Sequence, residues 1–124
     1  MNRYLKLASE FLDHAKYNLD GEMFRTVLDR AYYSIHYAAQ AVLVHHGMKP
    51  PKSHHGVISV FGTEVVGKGI MDAPFGRSLR EAAKLRDKGT YSLEADFDRE
   101  VAEAAVRDAE RFLEEARRVT GHVG

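Results

Sequence analysis

An all-helical fold is what this sequence predicts, and three observations carry the prediction. Glycine is thin at both ends: Gly21 is the one glycine before residue 47, and Gly89 the one between 86 and 119. All three prolines, Pro50, Pro51 and Pro74, fall in a punctuated middle stretch. The long outer stretches instead repeat apolar residues every three to four positions, the period of an amphipathic helix. Short connections make consecutive helices antiparallel neighbours. The expected architecture is therefore an up-and-down helical bundle of four long helices plus a short one, with 1–124 forming a single domain.

The first helix takes 3–19, with Tyr4, Leu5, Ala8, Phe11, Leu12, Ala15 and Leu19 on one stripe and Gly21 as its C-terminal cap. The second runs from about 22 to 46 on Met23, Val27, Ala31, Ile35, Ala38 and Val42. Leu28, Tyr32, Ala39 and Leu43 widen its apolar face, so it is expected at the centre. Gly47 stops it, and Pro50-Pro51 bars a restart. Ser53 reads as the N-cap of a short helix through HHGVISVFGTEVV, with Val57, Ile58, Phe61 and Val65 inward. The β-branched content leaves a strand as the alternative there. After the loop Gly67-Lys68-Gly69, a fourth helix spans about 74–88, opened by Pro74 and ended by Gly89. It turns Leu79, Ala82, Ala83 and Leu85 inward. Residues 90–97 form a loop. The last helix, about 98–119, turns Val101, Ala105, Phe112, Leu113, Ala116 and Val119 inward and Arg/Glu pairs outward.

Composition narrows the function classes. Eighteen basic residues balance eighteen acidic ones, so bulk charge does not make this a polybasic nucleic-acid binder; a small RNA-facing patch stays open. The absence of cysteine excludes disulfides, thiolate zinc sites and a cysteine nucleophile. No apolar run approaches the ~18 residues of a membrane span. MNRYLKLASEFLDHAK carries acids and lacks the apolar core of a signal peptide. A cytoplasmic location without membrane association is expected.

Three clusters bear chemistry. Asp29 to Tyr37 crowds an Arg, three Tyr, a Ser and a His into two helical turns. Arg30, Tyr33 and Tyr37 share one edge with Ser34 beside them, and Tyr32 and His36 lie on another. They read either as core-rim residues with hydroxyls reaching solvent or a neighbouring helix, or as a polar pocket between helices or at a dimer seam. Two histidine doublets, His45-His46 and His54-His55, flank the proline loop. Adjacent helical histidines diverge by about 100°, a poor geometry for a tetrahedral metal site, so no metal is expected. His46 instead suits the helix C-terminus and His54 a loop hydrogen bond. Arg86-Asp-Lys-Gly-Thr-Tyr91 is either a charged helix end or places Arg86 and Tyr91 in a cleft that takes a phosphate, which a guanidinium fork binds bidentately. There is no Walker loop, GxSxG or HExxH, and no cofactor is expected.

Taken in order, Arg30-Ala-Tyr-Tyr-Ser34 in the long second helix, Lys52-Ser-His-His-Gly-Val-Ile-Ser-Val-Phe-Gly62, and Leu85-Arg86 followed by Tyr91 before the last helix resemble the HEPN superfamily. The match is to its small stand-alone archaeal and bacterial group and covers nearly the whole chain. The resemblance implies a helical bundle that pairs into a homodimer. Many such proteins are metal-independent endoribonucleases whose Arg, four to six residues, then His sits before the last helix and faces its copy across the dimer. They often act as toxins neutralised by a minimal nucleotidyltransferase partner. Other members are nucleotide-binding or accessory modules.

The sequence departs from the ribonuclease pattern at one point. Five residues after Arg86 stands Tyr91, and no histidine lies between Arg86 and Gly121. The expected imidazole must come from elsewhere, His36 or His54, or its work falls to Tyr91, whose reference pKa near 10 makes it a poor base at neutral pH. The expected catalytic residues are Arg86 and Tyr91, and the expected binding residues Arg30, Tyr33, His36, Lys52 and His54. Three functions compete: a toxin-like endoribonuclease acting on RNA, a non-catalytic module binding a nucleotide or a nucleotidyltransferase partner, and a purely structural bundle.

Overall fold

The computed structural model describes residues 3–93 and 96–121. Its elements are α1 (Arg3–Asp20), α2 (Phe24–His45), α3 (His54–Phe61), a π-helical turn (Gly62–Val66), α4 (Ala73–Tyr91) and α5 (Arg99–Val119). The described residues contain no strand, so the strand alternative for the segment after Ser53 is not taken. Ser53 is the N-cap there: its hydroxyl accepts the Gly56 N–H at 2.9 Å. Asp98 caps α5 in the same way, through the Val101 N–H at 3.0 Å.

The second helix is central. It packs against α1, α3, α4 and α5 and buries Val27, Leu28, Ala31, Ile35, Ala38, Ala39, Val42 and Leu43. Alanines on the facing helices, Ala8 and Ala15 of α1 and Ala31 and Ala38 of α2, are fully covered. Ser34, read from sequence as part of the polar edge, instead lies in this seam and donates to the Ala8 carbonyl at 2.8 Å. That bond satisfies a buried hydroxyl and makes Ser34 a packing residue. In α5 the buried stripe is Ala102, Val106, Ala109, Phe112, Leu113 and Ala116; Val101, Ala105 and Val119 are only half-buried.

Helix ends differ from expectation at two glycines. The residue that turns left-handed after α1 is Glu22 (φ 59°), not Gly21. The Met23 N–H reaches the Asn18 carbonyl at 2.9 Å and the Glu22 N–H that of Leu19 at 3.0 Å, a Schellman closure. Arg99 holds Glu22 in place at 3.1 Å. Likewise α4 does not stop at Gly89. That glycine is buried against α2, where a Cβ would meet Leu28 and the Arg25 backbone at 3.6 Å. The end is set by Arg25, whose Nη1 donates to the carbonyls of Gly89 (2.9 Å) and Ser92 (2.7 Å). Among the described residues no helix is long and apolar enough to cross a membrane.

Candidate functional site

Three helices bring the chemistry-bearing residues together. Asp29 and Tyr33 stand one turn apart on α2, and Arg86 reaches them from α4. Its Nε donates to Asp29 Oδ1 at 3.3 Å, Nη2 to Tyr33 Oη at 3.3 Å, and Nη1 to Asp87 Oδ1 at 3.4 Å. The guanidinium also lies 5.5 Å from the Tyr33 ring centroid. Burial pulls the Arg86 pKa down, but the hydrogen bond to Asp29, nearby Tyr33 and Asp87 more than offset it, so the charge is held. A guanidinium carries five N–H groups. These three bonds leave capacity for an anion.

One turn on, α2 presents Tyr32 and His36 toward α3. The Tyr32 Oη is 2.9 Å from His54 Nδ1 and 3.4 Å from His36 Nδ1, and the two imidazole centroids lie 4.6 Å apart with the rings tilted by 42°. Tyr32 is 1% exposed and His36 5%. Burial, then the charge of Tyr33, pushes the Tyr32 phenol well above its ordinary range. Burial, then His54, lowers the His36 pKa to about 4, so His36 is neutral at pH 7. A cleft of about 200 Å³ opens where these groups meet, lined by Tyr32, His54, His55, Arg86 and Asp87, with Ile58 and Ala83 as its apolar members.

A larger groove of about 800 Å³ runs over α1, α4 and α5. Its apolar members are Leu12, Phe75 and Leu113. Rim charges are tied to one another, as in Lys16–Glu110 at 3.6 Å and Arg118–Glu115. Its lining holds carboxylates and guanidinium groups but no imidazole.

The sequence-expected residues separate accordingly. Arg86 and His54 share the cleft, and Tyr33 and His36 touch its members. Arg30 approaches the same Asp29 carboxylate at 3.8 Å but lays its guanidinium over Phe11, toward α1. Lys52 is exposed before α3. Tyr91 is 73% exposed and stands about 140° round α4 from Arg86, so this chain does not bring the two together. Asp29, Asp87 and His55 fall inside the clusters that the sequence offers but are not among its expected site residues; the one local signal for Asp29 is its four-residue spacing from Tyr33. His46 closes α2 with its Nδ1–H directed to the Val42 carbonyl at 2.9 Å. Among the described residues no group of three or more His, Cys, Asp or Glu is placed to hold a metal ion.

The model of the HEPN domain matches residues 1–119. The chain belongs to the HEPN family. Among its HEPN relatives, a Methanocaldococcus jannaschii protein named "putative toxin" is 33% identical over 110 residues, covering 89% of this chain and 81% of the relative. A UPF0332 protein of Thermotoga maritima is 32% identical over 107 residues, 86% of this chain and 80% of its own. A second M. jannaschii "putative toxin" is 23% identical over 118 residues, 95% and 80% respectively. The HEPN match spans every element that builds the cleft.

Proposed function

We propose that this HEPN protein is a toxin-like, metal-independent endoribonuclease whose working groups are Arg86 and His54. The observation that carries this reading is their placement in one cleft, with Tyr32 behind the imidazole. Phosphodiester transfer needs a fixed cation for charge that develops on the phosphorane and a group that moves a proton near neutral pH. Arg86 supplies the first through the N–H groups its tethers leave over. His54 supplies the second: it takes the proton of a ribose 2′-OH as that oxygen attacks the adjacent phosphorus. The P–O5′ bond breaks, the proton taken up by His54 passes to the leaving O5′, and a 2′,3′-cyclic phosphate and a 5′-hydroxyl remain. The toxin names carried by two relatives support the biological class. The HEPN resemblance adds a homodimer and an antitoxin, a minimal nucleotidyltransferase, as partners.

A second reading has its own support. Arg86 is clamped by two carboxylates, which suits grip more than catalysis, and the exposed Tyr91 hydroxyl is open to a partner enzyme. In that case the cleft binds a nucleotide or the partner and cuts nothing. Purified protein incubated with mixed RNA in EDTA separates the two. Cleavage to cyclic-phosphate ends that falls about 10²–10³-fold in Arg86→Ala, and comparably in His54→Ala, supports the ribonuclease. Intact RNA with nucleotide or partner binding lost in Arg86→Ala supports the module.

A further inference from the structure

The reaction above leaves two residues behind the cleft without a part: Tyr32 and His36. Both are buried, and the Tyr32 oxygen lies within reach of two imidazole nitrogens, His54 Nδ1 at 2.9 Å and His36 Nδ1 at 3.4 Å. A phenol has one proton to give and lone pairs to receive. With the phenol kept protonated, one imidazole must accept from it while the other donates to it.

Two arrangements satisfy that count. In one, Tyr32 donates to His54 Nδ1; the hydrogen of a neutral His54 then sits on Nε2, and no lone pair faces the cleft. In the other, His54 Nδ1–H donates to the Tyr32 oxygen, and the Tyr32 hydroxyl donates to His36 Nδ1. His36 is neutral at pH 7, as burial in this packing requires, so one of its two ring nitrogens carries a lone pair, and in this arrangement that nitrogen is Nδ1. The second arrangement alone also fits a protonated His54, which carries hydrogen on both nitrogens. A proton then enters and leaves at Nε2 while every other hydrogen of the chain stays where it is.

We propose that Tyr32 and His36 are positioning residues, acting through a buried chain His54 Nδ1–H to Tyr32 Oη–H to His36 Nδ1 that presents the His54 Nε2 lone pair to the cleft. The proposal rests on the reading of His54 as the proton carrier. Its physical logic is that of any partner placed behind a histidine: the hydrogen bond at one ring nitrogen decides the state of the other. Here the partner is a neutral phenol, itself oriented by a second, neutral imidazole. His36 lies outside the lining of the cleft, and Tyr32 borders it at 1% exposure, so both act through His54.

The test reads the tautomer directly, in the protein without RNA. Long-range proton–nitrogen correlation spectra of ¹⁵N-histidine-labelled protein are recorded at pH 9, where imidazoles are neutral. In the wild type the His54 hydrogen is expected on Nδ1. In Tyr32→Phe the acceptor is lost, and in His36→Phe the freed hydroxyl turns to donate to His54. Both variants are expected to move the His54 hydrogen to Nε2, with the exposed His45 signals unchanged as the control for folding. A wild-type His54 carrying hydrogen on Nε2 overturns the proposal even where a variant fails to fold. So does an unchanged tautomer in the two folded variants. RNA left intact by the wild type would defeat the ribonuclease reading alone, because the tautomer is read without turnover.

Discussion

His36 shows at the residue scale what burying an imidazole does to stability. Its pKa is lowered to about 4 from an unfolded reference near 6.5, by burial first and His54 second. A folded-state pKa below the unfolded one means that the unfolded chain binds the extra proton between these values. The stabilising contribution is therefore complete above about pH 6.5 and is lost as pH falls toward 4. A shift of this size corresponds to roughly 3 kcal/mol. The expected outcome is a wild-type urea midpoint that drops steeply between pH 6.5 and 4, and a shallower drop in His36→Phe, which has no imidazole to protonate. Carboxylates titrate in the same window in both proteins, so the difference between the two curves isolates His36. Parallel curves would assign the acid sensitivity to other groups.

Backbone geometry at the element scale separates glycines that look alike in sequence. Gly47 closes α2 at φ +79°, where its N–H meets the Val44 carbonyl at 3.0 Å and the Met48 N–H meets Leu43 at 3.0 Å. A side chain fits the space but not the backbone, and left-handed geometry costs an L-residue about 1–2 kcal/mol. Gly62 sits at φ −60°, ψ −42° with nothing within 4 Å of an added Cβ. Thermal melts should then place Gly47→Ala below the wild type by about 1–2 kcal/mol and Gly62→Ala above it by roughly 0.5–1 kcal/mol. Equal shifts would remove this account of the two turns. The same contrast explains what was legible beforehand. The central place of α2 could be read because large aliphatic residues fill two flanks of its stripe. On α5 the expected inward Phe112, Leu113 and Ala116 are buried, while in the first half the buried positions are Ala102 and Val106 in place of Val101 and Ala105, since alanines carry too little hydropathy to fix the phase there. Gly89 reads as a stop because sequence shows neither the packing that needs a missing Cβ nor the Arg25 side chain that ends the helix. His54 stood out as part of a doublet. Asp29 did not, because its meeting with Arg86 is decided by the packing of α4 on α2. Tyr91 drew attention through closeness in sequence to Arg86, yet a five-residue step turns it to another side of the helix.

For the whole molecule the open question is how many chains complete one site. The HEPN resemblance leads us to expect a two-fold dimer in solution, and the half-buried aromatic row of Tyr4, Phe11, Tyr33 and Tyr37 along the α1–α2 surface supports it. Light scattering should give twice the 14.0 kDa chain mass. Melting temperature should rise with protein concentration, because association stabilises the folded partner by mass action. Each chain carries Arg86 and His54 in its own cleft, so each dimer would hold two clefts with both groups contributed by one subunit. This has a direct consequence for mixed dimers. In a co-expressed heterodimer of Arg86→Ala with His54→Ala, every cleft lacks one of the two groups. Ribonuclease activity should stay at the level of the single variants. If the groups instead act across the seam, with Arg86 of one subunit serving His54 of its partner, one composite site per heterodimer would be intact. Activity would then return to about half that of the wild-type dimer per heterodimer, by the count of complete sites. Recovery of that size would move the working site from the intramolecular cleft to the seam between subunits.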